Sequence, residues 1–232
     1  MYVPTIFKAE ALDEIQTLAR DFPFATLTAV LEGRAFTAHV PLLLRSEPGR
    51  PLILSGHVAN ENPFSERLDG ELLVEFIGPN VYIPPEWYTQ VQHYPTWWSA
   101  IVQCRGIAKR LPCTDLSEHL RQLISEYQEK FVGSNWSIEV MPAGLTEHLM
   151  KFIVPFEIEV QEIVCSLRVG QNKAPQEIAS IAERLRASGR ADWIYIAALA
   201  ERQNAQVNPE DMHATKVKYS PPDIFPISEL SK

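Results

Sequence analysis

The chain has 232 residues, 46% of them apolar, with 21 Lys and Arg against 29 Asp and Glu and a net charge of −8. That length allows one large domain, or one domain with a small appendage, around an ordinary hydrophobic core. The acidic balance argues against broad nucleic-acid binding, which draws on Lys and Arg neutralising phosphates, and no apolar run approaches the ~20 residues of a bilayer span.

Met1 leads directly into the strand-like YVPTIF, without the basic and apolar regions of a signal peptide. Cys104, Cys113 and Cys165 are odd in number and widely spaced, a pattern of reduced thiols, so a cytoplasmic protein is expected. Residues 11–21 place Leu12, Ile15, Leu18 and Ala19 on one helical face. FATLTAVL (24–31) then predicts a strand, with Glu32-Gly33 as the hairpin turn into RAFTAHVPLLL. After the turn cluster SEPGRP come a short strand, LILSGH, one or two helical turns over 60–68, and the strand ELLVEFIG (71–78).

From Gly78 to Gly106 the chain packs Tyr82, Trp87, Tyr88, Tyr94, Trp97 and Trp98 between Pro79, Pro84, Pro85 and Pro95. Proline fixes φ and removes a donor, so a shaped connection is expected here in place of a central strand. Flat rings with polar rims suit a planar ligand or a subunit interface; a packed loop capping a barrel is the other reading. SAIVQCRGIAKRL (99–111) returns as a strand broken at Gly106, and Asp115 with Glu118 forms a capping-box signature for the next helix. Residues 152–169 read as paired strand segments. Strands dominate the first half and helices cluster later, which predicts an α+β barrel with peripheral helices.

Pro175 opens a helix that Ser188-Gly189-Arg190 breaks, and 191–203 reads as a second. The pair has the outline of a helix-turn-helix. Its arginines are offset by Glu177, Glu183, Asp192 and Glu201, which favours a helical hairpin packed on the barrel or on a dimer mate. Three parts follow: a barrel domain over 1–172, the hairpin over 173–203, and an extended or disordered tail, or an arm laid on the partner, over 204–232.

The motifs GPNVYIPPEWY and PTW, with the opening MYVPTIF, TAHVPL (37–42), SGHVANENP (55–63) and LRVGQN (167–172), keep the order of the PaiB family, which they resemble over 1–185. These are the so-called FMN-binding negative transcriptional regulators. The resemblance implies a flavin-reductase-like split β-barrel, paired as a homodimer, with FMN near the interface. It also points to site residues. His39 and His57 would hold a flavin or phosphate atom, or ligate haem iron; a histidine tied to backbone is the alternative. Asn60 and Asn62 could hold a phosphate at a helix start, or serve as turn and capping residues.

Tyr82, Trp87, Thr96 and Trp97 would bury the ring system, while Arg168, Gln171 and Asn172 close one side. Two departures stand out: Asn60 replaces a residue that is often basic in the family, and Trp98-Ser99 replaces an Asn-Tyr pair. No nucleophile–base set, P-loop or metal-ligand spacing is visible, so catalysis would come from a bound cofactor, and whether the chain is an enzyme stays open. Three readings remain: a PaiB-like flavin protein with a regulatory or redox role; a haem b enzyme resembling the piperazate synthases, with His57 or His39 on iron; and a cofactor-free interaction module. Direct DNA binding, implied by the family label, is expected to be weak.

Overall fold

The computed structural model describes residues 1–90, 93–142 and 144–206. Its elements are β1 (Lys8–Ala9), α1 (Leu12–Asp21), β2 (Phe24–Leu31), β3 (Arg34–Pro41), β4 (Leu43–Arg45), β5 (Ile53–Ala59), β6 (Glu71–Ile83), β7 (Thr96–Arg110), α2 (Leu116–Tyr127), α3 (Leu145–Met150), β8 (Ile153–Arg168), α4 (Pro175–Ala187) and α5 (Ala191–Gln206). The eight strands form one sheet, β3-β2-β6-β7-β8-β5-β4, with β1 added on β8. Every pairing is antiparallel.

The order closes on itself because β3 and β4 are one strand broken at Leu42. Its first half pairs with β2, and its second half pairs with β5 at the far end of the path. This is a split β-barrel with six staves. Period-two alternation fills it: Leu72, Val74 and Phe76 of β6, Trp98, Ala100 and Val102 of β7, and Leu27 of β2 point inward and are buried. Alternate residues face outward, where Thr26, His39, Glu75 and Gln103 lie side by side in register. The N-terminal ammonium lies on this outer face and donates to Gln103 Oε1 at 2.5 Å.

The aromatic stretch differs from its sequence reading. Two long central strands run through it, and only residues 84–95 connect them. Pro79 is accommodated because the β6–β7 register shifts between Ile77 and Asn80, so the missing N–H falls at a bulge. Residues 153–168 form one continuous strand instead of paired segments. It absorbs an irregularity opposite Gly106, where Arg105 faces Glu162 and Gly106 faces Val160. The expected capping box does not form: Asp115 makes no side-chain cap, and Glu118 accepts from Gln122. A π-helical turn, Gln128–Val132, extends α2. Tyr127 Oη donates to the Leu42 carbonyl at 3.0 Å, tying that helix to the broken strand.

The helical hairpin is buried against the barrel through Ile178, Ile181, Ala182, Leu185, Ile196, Ala197, Leu199 and Ala200, which join the main core. Arg186 is paired with Glu201, and Arg190 with Asp192. α5 continues to Gln206, past the 203 at which the sequence reading ends it; the tail from 207 on lies outside the described residues. No described helix is long and apolar enough to cross a membrane.

Gly106 is a close-approach position. A Cβ there would lie 2.3 Å from the Glu159 carbonyl oxygen and 2.8 Å from Ile158 Cγ2, whereas a Cβ on Gly70 would meet nothing within 4 Å. Gly106→Ala is therefore expected to lower unfolding stability by about 2 kcal/mol, as overpacking does, and Gly70→Ala to stay within about 0.5 kcal/mol. Urea denaturation of the two variants checks this pair.

Candidate functional site

One end of the barrel carries a cavity of about 310 Å³ between the β6–β7 connection, the start of β7 and the β8–α4 turn. It is lined by Phe7, Tyr88, His93, Tyr94, Pro95, Thr96, Trp98, Arg168, Gly170, Asn172 and Lys173. Its volume lies at the low end of small-molecule sites, roughly 300–1,000 Å³. Two larger clefts, about 560 and 620 Å³, flank α2 and are lined partly by charged surface residues such as Arg121 and Glu129. Among the described residues, neither larger cleft is lined by a buried polar atom lacking a partner; the smaller cavity is, at Tyr88.

The β8–α4 turn is built for close packing. Gly170 takes φ +86°, and a Cβ on it would lie 2.6 Å from Trp98 Cζ2 and 2.5 Å from Ile178 Cδ1, so the backbone presses onto the indole face. Gln171 is fully engaged beneath it: its amide donates to the Leu167 carbonyl, and its oxygen accepts from the Val169 N–H at 2.9 Å. Asn172 and Lys173 are thereby turned out to the cavity lining.

The facing connection is pinned by Glu177 in the first turn of α4. Its carboxylate, 2% exposed, accepts from the Thr89 N–H at 2.7 Å, the Thr89 hydroxyl at 2.6 Å and the Gln90 N–H at 3.0 Å. Burial pushes the Glu177 carboxyl toward its neutral form, but these hydrogen bonds outweigh it and hold the pKa below the usual value. Ser180 Oγ donates to the Trp87 carbonyl at 3.0 Å, and the Trp87 ring meets Trp193 of α5 edge-on at 5.9 Å.

Tyr88 is 7% exposed, and its hydroxyl has no hydrogen-bond partner among the described residues. Burial first, then Glu177, raises its pKa, against an opposing effect of Arg168. The phenol is thus a protonated donor at neutral pH, and leaving it unmatched in the interior costs about 1–3 kcal/mol. Lys173 Nζ lies 5.2 Å above the Tyr88 ring and 3.2 Å from His93 Nδ1, and Arg168 lies over Phe7 at 5.5 Å. One cavity thus holds two cations, the tilted Tyr88–His93 ring pair at 4.3 Å and a buried donor unsatisfied among the described residues. That set suits an anionic, planar, oxygen-rich ligand.

Of the residues singled out in the sequence, Thr96, Arg168 and Asn172 line this cavity, and Gln171 supports its floor. The structure does not bring the others to it. His39 faces outward from β3, its Nδ1 3.0 Å from Thr26 Oγ1 and its ring stacked on Phe24. His57 faces α2, its Nδ1 3.2 Å from His119 Nε2. Asn62 accepts from the Phe64 N–H and caps the short 63–67 helix, whereas Asn60 donates to the Lys151 carbonyl and ties its turn to the segment before β8. Tyr82 and Trp97 pair edge-on at 6.0 Å on the outer face, 46% and 57% exposed. Trp87 packs on the hairpin. Sequence reasoning missed Tyr88, His93, Lys173 and Glu177 as site residues, although Lys173 directly follows the singled-out Gln171-Asn172 pair.

The chain is thus a split β-barrel protein with a cavity at one end, and comparison with solved structures agrees on the fold. The FAD and haem binding protein of Mycobacterium smegmatis superposes with a TM-score of 0.54 at 13% identity, covering 75% of this chain and 80% of that one. The flavocytochrome Anf3 of Azotobacter vinelandii gives 0.54 at 11% identity, covering 75% of each. In sequence, the protease synthase and sporulation protein PAI 2 of Bacillus subtilis is 29% identical over 187 residues, 80% of this chain and 89% of that protein. Residues 1–162 match the family described as "Putative FMN-binding domain", and the chain belongs to that PaiB-type family.

The His57–His119 contact sets an acid sensitivity. Burial, then His57 and Arg45, pushes the His119 pKa down to about 4, and burial lowers that of His57. The unfolded chain binds these protons near pH 6.5 and the folded chain does not, so stability falls as pH drops from about 6.5 towards 4. His119→Leu is expected to remove about 1–2 kcal/mol of the stability lost between pH 7.5 and 5. Urea unfolding at the two pH values measures that difference.

Proposed function

We propose that this chain binds FMN in the cavity between the 84–96 connection and the β8–α4 turn. The flavin, when bound, supplies electron-transfer chemistry; the chain's own residues bind and orient it. Arg168 and Lys173 give the counter-charge that Asn60 lacks, Asn172 and Thr96 offer polar contacts, and the exposed Tyr94 supplies a ring face beside the buried Tyr88 and Trp98. The observation that carries this reading is the buried Tyr88 hydroxyl, without a partner among the described residues, beside two cations and among rings. The haem alternative needs His57 or His39 on iron. His57 is engaged with His119, His39 with Thr26, and neither lines the cavity.

A regulatory role for such a protein would act through its cofactor or a protein partner. The α4–α5 hairpin buries its apolar face in the core, and Arg186 and Arg190 are paired with acids. That arrangement and the net charge of −8 support little direct DNA affinity.

Titration of apo-protein into FMN and riboflavin, read by flavin fluorescence, tests the site. Arg168→Ala is expected to weaken FMN about tenfold and riboflavin less than twofold, since a charged hydrogen bond to phosphate contributes roughly 1.5–3 kcal/mol. Tyr88→Phe should weaken both ligands. Equal losses for FMN and riboflavin in the Arg168 variant would remove it from the phosphate end.

We further propose that the protein is a homodimer through the outer face of β2, β6 and β7. Phe24, Ile77, Tyr82 and Trp97 are each 46–66% exposed there, an apolar patch that monomers rarely leave open. Sedimentation at micromolar concentration should give twice 26.3 kDa, and Trp97→Glu should shift it to the single mass. A wild-type monomer would contradict the assignment.

A further inference from the structure

Glu177, His93 and Lys173 form a chain from the protein interior to the cavity. Glu177 Oε1 lies 3.9 Å from His93 Nε2, and His93 Nδ1 lies 3.2 Å from Lys173 Nζ. An ammonium has only protons to give, so His93 must accept through Nδ1 and carry its own proton on Nε2, facing the carboxylate. At 3.9 Å the buried anion is beyond hydrogen-bond reach of Nε2 and acts on the imidazole through its charge, while the imidazole holds the ammonium. Lys173 is held a second time by the Tyr88 ring, 5.2 Å below it. Arg168, by contrast, is exposed, with Phe7 beside it.

Two roles meet at Glu177. Its hydrogen bonds to Thr89 and Gln90 pin the connection that carries Tyr88 and His93, and its charge faces His93. A lysine fixed in this way has lost its rotamer freedom before any ligand arrives, which lowers the entropy lost on binding. Lys173 lines the cavity and keeps two N–H donors beyond the one shared with His93, and a phosphomonoester offers two negative charges and three acceptor oxygens to such a group.

We propose that Lys173 is a second cation, beside Arg168, that reads a ligand phosphomonoester, and that Glu177, acting through His93, is the residue that positions it. This rests on the FMN reading for its natural ligand but not for its chemistry. The test uses full-length apo-protein with three probes: FMN, riboflavin and inorganic phosphate. Lys173→Met is expected to weaken FMN at least tenfold and riboflavin less than twofold, with Lys173→Arg recovering part of the loss. Glu177→Gln should lower the FMN-to-riboflavin affinity ratio at least threefold; a residue that only latches the loop would lower both alike and leave the ratio unchanged. Inorganic phosphate should raise the Tm of the wild type and not that of Lys173→Met, whose fold is checked by its own unfolding transition.

If the wild type ignores flavins but phosphate still stabilises it through Lys173, the flavin reading falls and the assignment of Lys173 stands. Equal losses for FMN and riboflavin in Lys173→Met, or no loss of either, overturn the assignment. So does a wild type that responds to neither FMN nor phosphate.

Discussion

The strand that begins at Arg34 has two neighbours to satisfy, and it cannot serve both in one straight run. It gives its first eight residues to β2 and, after Leu42, its last three to β5. Leu42 itself leaves the ladder. Its N–H donates to the Pro23 carbonyl at 3.0 Å, and its own carbonyl accepts from Tyr127, so the break leaves neither of these groups without a partner. Closure follows from this one break, and so does the rest of the architecture. A closed barrel has an inside, which the apolar alternation fills, and ends, which must be covered. It also leaves an outer face whose chemistry is free to differ from that of the core.

The covering of one end makes the site. Trp98 is the largest of the fully buried side chains, and the Gly170 backbone rests on it. From this fixed point β8 turns into α4, and α4 places a carboxylate where the β6–β7 connection crosses. A buried carboxylate is costly unless its oxygens are matched. Here two backbone N–H groups and a hydroxyl match them, and in doing so they fix a proline- and ring-rich connection that has few ladder bonds of its own. The cavity is what remains between two rigid walls. Its lining sets each cation against a ring, Lys173 over Tyr88 and Arg168 over Phe7.

The histidines show how the same residue type can serve structure or ligand according to which face of a strand it occupies. His57 is on a stave covered by α2, where a second imidazole meets it and burial holds both near neutrality. His39 points to the outer face beside Thr26. His93 sits on the irregular connection, next to a lysine and a buried acid. Only the last is part of the cavity.

Much of this was legible in the chain itself. Period-two apolar runs gave the strands, the Glu32-Gly33 turn gave the first hairpin, and Pro175 gave the start of α4. The order of motifs such as TAHVPL and LRVGQN carried the split-barrel family, and of Arg168, Gln171 and Asn172, singled out in the last of them, the first and third line the end cavity. Proline-rich aromatic composition misled locally, because a bulge lets Pro79 sit inside a paired strand. What only the tertiary structure decided was the company each polar group keeps. Glu177 is 88 residues from Thr89, and Lys173 is 80 from His93. No local pattern relates such pairs, since they meet only when the barrel closes and α4 folds back over its end. The same closure turned His57 toward α2 and left Tyr88 buried, its hydroxyl without a partner among the described residues. Sequence determined which faces are apolar; the closed barrel determined which polar groups were left for a ligand.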